Sequence, residues 1–187
     1  MRMSKPDDIA LILERFGRVF QNDAHVAGLK PTQWEALRYL ARANRFSRNP
    51  KALTAYLGMT KGTVSQTIIA LERKKLIRKK TGPKDKRSVQ LELTSAGRLL
   101  LEKDPISAIR NTAIKLKKTD RDALTDGLKQ LLRVTLDERN GVPFGVCKTC
   151  RYFRAHAEGG DPHRCALLDV SLSDEDSELH CIENEAA

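Results

Sequence analysis

Four cysteines lie in the last forty-one residues of this 187-residue chain: Cys147, Cys150, Cys165 and Cys181. Their spacing is C-x2-C-x14-C-x15-C. A C-x2-C turn aims two thiolates at one centre, and two further cysteines complete a tetrahedral sulfur site. A structural zinc ion is one expected occupant, and free thiols are another reading. The segment is short and acidic, so a metal would supply folding energy that its few apolar residues cannot. His163 and His180 are spare ligands, although a histidine beside such a site is more often a hydrogen-bonding neighbour.

A second set of residues points to different chemistry. From Thr60 to Thr94 the chain runs TKGTVSQTIIALERKKLIRKKTGPKDKRSVQLELT. Thr60 is a helix N-cap by type, since its hydroxyl accepts from an unpaired first-turn amide. Val64, Ile68 and Leu71 then recur at i, i+4 and i+7 and make one apolar face. Gly62, Ser65, Gln66, Ile69 and Arg73 occupy the opposite face, with Thr63 at its edge. That face is mostly small and polar, so it fits a DNA major groove and offers hydroxyls and an amide to base edges. A strand is expected over 76–81. A second is expected where Val89, Leu91 and Leu93 alternate with Gln90 and Glu92. The turn between them, Gly82-Pro83-Lys84-Asp85-Lys86-Arg87, carries three cations. A helix followed by a basic hairpin is the plan of a winged helix-turn-helix.

Four pieces in register resemble the MarR family of bacterial transcriptional regulators: Thr60-Lys61-Gly62-Thr63-Val64-Ser65, Leu71-Glu72-Arg73-Lys74-Lys75-Leu76-Ile77, Asp85-Lys86-Arg87-Ser88 and Leu93-Thr94-Ser95-Ala96-Gly97. The resemblance covers roughly residues 7–138. It implies a DNA-binding homodimer, often a repressor, whose DNA affinity changes with a small-molecule effector or redox state. It also implies that Asp85 orients Arg87 toward the minor groove; Lys86 stands where many relatives carry a second arginine. The expected DNA-binding residues are Lys61, Thr63, Ser65, Gln66, Arg73, Lys84, Asp85, Lys86 and Arg87. The cysteine tail is no part of that pattern. Its run Cys147 to Phe153, then Gly159-Gly160, Cys165 to Leu168 and His180-Cys181, is similar to the cluster-binding segment of high-potential iron–sulfur proteins, which implies a [4Fe–4S] cluster. His180 stands where those proteins have an aromatic residue.

Apolar periodicity supplies the elements that must position these residues. A first helix is expected over 7–23, with Ile9, Leu13, Phe16 and Phe20 on one face. A second runs from Pro31 through Ala43 around a core Trp34, and a third spans 51–57 and closes at Gly58. Residues 51–57 and 61–74 form the helix-turn-helix. A fifth helix starts at Thr94-Ser95-Ala96-Gly97, and Pro105 kinks or splits it. Thr119 is the expected cap of a last long helix bearing Leu124, Leu128, Leu131, Leu132 and Leu136. The fold class expected is mainly α with a small β-wing. Residues 1–140 form the DNA-binding and dimerisation domain, and 141–187 form a cysteine-rich metal-binding tail.

Charge divides the chain in the same place. The net charge is +10; residues 141–187 carry four Lys/Arg against nine Asp/Glu, leaving 30 against 15 in residues 1–140. A body of net +15 favours a polyanionic partner, double-stranded DNA. No apolar run is long enough to span a membrane, and the first residues lack an apolar signal core, so a cytoplasmic protein is expected. Paired carboxylates in apolar context, a phosphate-binding glycine loop and a nucleophile–histidine pair are all missing, which argues against an enzyme. The four histidines, His25, His156, His163 and His180, are scattered. The competing reading is an iron–sulfur redox protein or metalloenzyme whose basic domain only docks a polyanion. RNA binding is weaker, because the few aromatics make no stacking platform.

Overall fold

The computed structural model describes residues 5–23, 26–81, 89–157 and 162–186. The chain is mainly helical with small antiparallel sheets. Helix α1, Lys5–Asp23, leads through a 3-10 turn at Val26–Gly28 to α2, Pro31–Arg42. Proline suits that start, because the first-turn amide it lacks would have had no helical partner. Helix α3, Pro50–Leu57, is capped by Asn49, whose side chain accepts from the Ala52 amide at 2.9 Å. It stops at Gly58, whose φ of 60° and ψ of 28° are the left-handed values that favour glycine. Helix α4, Lys61–Arg73, is capped by Thr60, as its sequence implies.

Strands β1, Ile77–Thr81, and β2, Val89–Leu93, pair antiparallel with Ile77 opposite Leu93 and Thr81 opposite Val89. The Leu91 amide also donates to the Arg48 carbonyl at 2.7 Å, so the segment before α3 borders the hairpin. Trp34, Leu37 and Leu40 of α2 meet Leu53 of α3, Val64, Ile68 and Leu71 of α4, and Ile77 and Leu91 of the sheet in one buried core. Trp34 is fully buried, which fits a core anchor.

Helix α5, Ser95–Leu101, is capped by Thr94. Pro105 does split the helical run, and α6 resumes as Ser107–Ile114. The break is pinned by Asp104, which is buried, accepts from Arg38 Nε at 2.8 Å and accepts from the Ile106 amide at 3.0 Å. Helix α7, Lys118–Glu138, differs from expectation at its start: its N-cap is Lys117, without a side-chain bond, and Thr119 lies inside the first turn. Asp120 beside it places negative charge at the positive end of the helix dipole.

Past Gly141 the chain forms short strands. Strand β3, Gly145–Val146, pairs with the last strand, β7, His180–Cys181. Between them, β4, Phe153–Ala155, β5, His163–Cys165, and β6, Val170–Leu172, form a three-stranded antiparallel sheet in that order. A four-residue helix, α8, Asp174–Ser177, follows with a Ser173 capping box. This segment does not stand alone. Phe46, from the winged helix, packs into its small core with Leu172 and Cys147. Ala43 bridges to His180, the Asn44 amide donates to the His180 carbonyl at 2.8 Å, and the Ile182 amide donates to Ser47 Oγ at 2.9 Å.

Candidate nucleic-acid interface

Helix α4 separates its side chains sharply. Val64, Ile68 and Leu71 are buried, while Lys61, Gly62, Thr63, Ser65, Gln66, Ile69 and Arg73 are exposed. Five of the nine residues expected to touch DNA therefore share one solvent-facing surface of this helix. The Thr63 hydroxyl is already 2.9 Å from that of Thr60, so it is held at the cap rather than free to rotate. Lys61 and Arg73 form no ion pair among the described residues. Lys84, Asp85, Lys86 and Arg87, expected at the wing tip, lie outside the described residues.

The wing strand adds cations that motif reading passed over. Arg78, Lys79 and Lys80 project from β1, and each has a carboxylate partner. Arg78 Nε donates to Glu92 at 2.8 Å, Lys79 donates to Glu72 at 2.7 Å, and Lys80 is 3.6 Å from Glu92. The Arg78 hydrogen bond holds the Glu92 carboxyl below the usual carboxylate range. The strand's charge is thus partly balanced at its base. The sequence carried the signal, three consecutive cations in a period-two segment, yet the turn's Asp-x-Arg drew the attention.

A cavity of about 290 Å³ lies where α1 approaches α2 and the α5–α6 break, lined by Gly17, Phe20, Gln21, Pro31, Glu35, Arg38 and Ile106. Burial pushes the Glu35 carboxyl up, against the opposing pull of the Arg38 charge.

The four cysteines do not form the expected metal centre. Among the described residues, which include all four, no three His, Cys, Asp or Glu side chains converge into a group able to hold a metal ion. The expectation of zinc, or of a [4Fe–4S] cluster, on Cys147, Cys150, Cys165 and Cys181 is therefore overturned. The C-x2-C turn does form, as a 3-10 turn over Cys147–Thr149. Its first thiol, however, faces the winged helix: Asn44 Nδ2 donates to Cys147 Sγ at 3.3 Å, and all four cysteines are free thiols. The tail finds its apolar support in Phe46 and its polar support in Asn44 and Ser47, which a metal was expected to provide. Sequence reasoning missed these two residues; the turn-forming composition around Asn49-Pro50 was their only local signal.

The two thiols perturb each other: the neighbouring Cys147 holds the Cys181 thiol below the usual thiol range, while Cys181 and burial push the Cys147 thiol up.

No curated protein sequence matches the chain. Residues 27–88 match the model of the MarR family. The fold is similar to that of a MarR/EmrR family transcriptional regulator from Acinetobacter sp. ADP1, at 25% identity, covering 70% of this chain and 95% of that one, with a TM-score of 0.56. A probable transcriptional regulator from Pseudomonas aeruginosa is similar at 25% identity over 68% of this chain and 99% of that one, with a TM-score of 0.51. The S. aureus MepR–DNA complex shares the fold at 20% identity, over 72% of this chain and 99% of that one, with a TM-score of 0.57. No helix among the described residues is long and apolar enough to cross a membrane. The core around Trp34, the capped α3 and α4, the paired strands β1 and β2 and these matches agree on a winged-helix fold, and residues 27–88 are similar to the MarR family model.

Proposed function

We propose that this protein is a sequence-specific DNA-binding transcriptional regulator, a repressor by family analogy, acting as a homodimer on a pseudo-palindromic operator. The carrying observation is α4: a rigid, capped helix buried on one side, whose other side exposes Thr63, Ser65 and Gln66 between Lys61 and Arg73. Gln66, Ser65 and Thr63 contact base edges. Lys61 and Arg73, with Lys84, Lys86 and Arg87 of the wing, contact phosphates or the minor groove, and Asp85 orients Arg87. The similarity of the fold to that of the S. aureus MepR–DNA complex supports this reading.

The homodimer rests on the terminal helices. Leu124, Leu128, Leu131 and Leu132 of α7 and Ile9, Ile12, Phe16 and Phe20 of α1 are each at least a third exposed. Apolar faces of that extent call for a partner, and a second copy supplies a self-complementary one. Residues 1–140 serve as the binding and dimerising unit and 141–187 as an accessory segment. The cavity beside Glu35 and Arg38 suits a small effector carrying both apolar and charged groups.

Selection from a pool of random duplexes tests the proposal. Recovered sites should be inverted repeats with half-site centres about 10 base pairs apart. Arg87→Ala should weaken binding and reduce the salt slope by about one. Gln66→Ala should relax preference at one position per half-site, a loss of about 1–3 kcal/mol of discrimination. Recovery of no preferred sequence, with unchanged affinity and salt slope for Arg87→Ala, would reject the reading.

A further inference from the structure

A second cavity, of about 370 Å³, opens at the base of the wing, between α2, β1, β2 and α5. Its floor is Leu40 and Leu93, both buried. Five polar side chains line the rest: Arg48, Arg78, Glu92, Ser95 and Arg98. The backbone brings them together. Arg78 stands opposite Glu92 in the hairpin register, so both project from one face, while Lys79 turns to the other face and pairs with Glu72. The Arg48 carbonyl accepts from the Leu91 amide at 2.7 Å, which seats Arg48 beside β2. Ser95 and Arg98 are three residues apart in α5 and so share a face.

Three guanidiniums face one carboxylate in this cavity, a net of two positive charges. Glu92 is itself fully engaged: Arg78 Nη2 is 2.6 Å away and Lys80 is 3.6 Å away. Arg48 and Arg98 have no carboxylate partner among the described residues. Arg48 is half-buried, and its Nε donates to the Ala43 carbonyl at 2.8 Å, so its guanidinium is held in place. Its two terminal amino groups find no acceptor among the described residues. Arg38, another half-buried guanidinium, is paired with Asp104 at 2.8 Å. A half-buried arginine calls for acceptors for its remaining donors. A fixed fork of free donors beside a second free guanidinium is an arrangement that grips a phosphate group.

We propose that this cavity binds the phosphate group of a small phosphate monoester, gripped by Arg48 and Arg98, with the Ser95 hydroxyl donating a further hydrogen bond. Charge selects the class. A monoester is close to a dianion at neutral pH and matches the two unbalanced cations, whereas each phosphate of a DNA backbone carries one charge. Size points the same way: the cavity is larger than a bare phosphate fills, and the space over Leu40 and Leu93 takes the carbon skeleton of the ligand. Glu92 opposes any anion placed there, which gives the site a second handle of opposite sign. The site is separate from the cavity beside Glu35 and Arg38, and its assignment does not rest on the DNA-binding reading above.

Calorimetric titration of the full chain with glycerol phosphate, in chloride buffer of fixed ionic strength and without DNA, provides the test. The dissociation constant should be about 1 mM or tighter, and glycerol alone should not bind. Arg98→Gln should weaken binding at least about tenfold, through loss of one charge-assisted contact. Glu92→Gln should tighten it about threefold or more, because a like charge leaves the cavity. Arg110→Gln, on α6 outside the cavity, should change nothing. No binding to the unaltered protein, equal losses for Arg98→Gln and Arg110→Gln, or weaker binding to Glu92→Gln would overturn the site; equal losses would mean attraction to the basic surface at large. Duplex DNA separates the two sources of phosphate. Random duplexes should bind Arg98→Gln with the affinity and salt slope of the unaltered protein. A slope smaller by about one, with duplex displacing glycerol phosphate, would make the cavity a backbone contact and overturn the monoester assignment. Failure of both proteins to bind any duplex would instead count against the DNA-binding reading and leave the titrated site standing.

Discussion

The middle of the chain and its ends use the same kinds of residue to opposite effect. Leu37, Leu53 and Leu71 are fully buried within one fold of the chain. Leu124, Leu128 and Leu132 recur at equal helical spacing in α7, yet α6 and α7 bury no residue at all. Periodicity makes an apolar face in both regions, but only coverage by other elements turns a face into a core. The winged helix covers its own face because α2, α3, α4 and the hairpin converge on Trp34. Helices α1, α6 and α7 instead leave most of their apolar side chains exposed in the single chain. That asymmetry is the physical argument behind the proposed dimer.

The largest expected effect would break that comparison at its ends. Leu128→Asp combined with Leu132→Asp places two carboxylates on the face assigned to the second copy. Light scattering should report monomers, or the protein should become insoluble. A stable dimer from this variant would mean that the two copies meet elsewhere.

One substitution placed in both regions sharpens the contrast. Leu37→Ala removes a side chain with 0% exposure and should cost about 2–5 kcal/mol in urea unfolding. Leu128→Ala removes one that is 45% exposed in the single chain. At concentrations where the protein is monomeric its cost should be within about 0.5 kcal/mol. At higher concentration it should grow, because the residue then lies in an interface. Equal costs at every concentration would remove the distinction.

Gly97→Ala probes the seam between the regions, where α5 leaves the wing. A Cβ there would sit 2.2 Å from the Leu76 carbonyl oxygen, a backbone atom that cannot turn aside. The expected cost is about 1–3 kcal/mol, as for other overpacked sites. A neutral result would show that the start of α5 shifts freely against the hairpin.

The sequence was legible where local signals and tertiary packing agree. Thr60, Asn49-Pro50 and Gly58 mark the helix-turn-helix boundaries through capping and left-handed backbone preference, and both are local effects. Pro105 marks the α5–α6 break for the same reason. The exposed face of α4 follows from three apolar residues at helical spacing. The start of α7 was misplaced, because Thr119 has the composition of a cap but the chain turns helical one residue earlier. The cysteine tail was misread for a deeper reason. Spacing along the chain says which thiols are close in sequence, but Cys147 accepts a hydrogen bond from Asn44, 103 residues distant. No periodicity encodes that contact, so a segment that leans on the winged helix looked like one needing a metal of its own.

The smallest expected effects come from helix caps, and they follow the same division. Asn49 accepts from the Ala52 amide and donates to the Phe46 carbonyl, both at 2.9 Å, in a half-buried setting. Asn49→Ala loses the cap and the brace and should cost about 1–2 kcal/mol. Thr60 is exposed and accepts from the Thr63 amide at 3.2 Å, so water partly replaces it. Thr60→Ala should cost about 0.5–1 kcal/mol. In α7 the N-cap is Lys117, which offers no side-chain oxygen to the first-turn amides and adds positive charge to a positive helix end. Lys117→Ala should therefore change stability by no more than about 0.5 kcal/mol. Lys117→Asp should raise it by about 0.5–1 kcal/mol, through a new cap and a favourable dipole interaction. Urea midpoints measured side by side decide the matter. A loss for Lys117→Asp as large as that for Asn49→Ala would mean that the start of α7 is held by contacts within the monomer, and the ends would then be less unfinished than their exposure indicates.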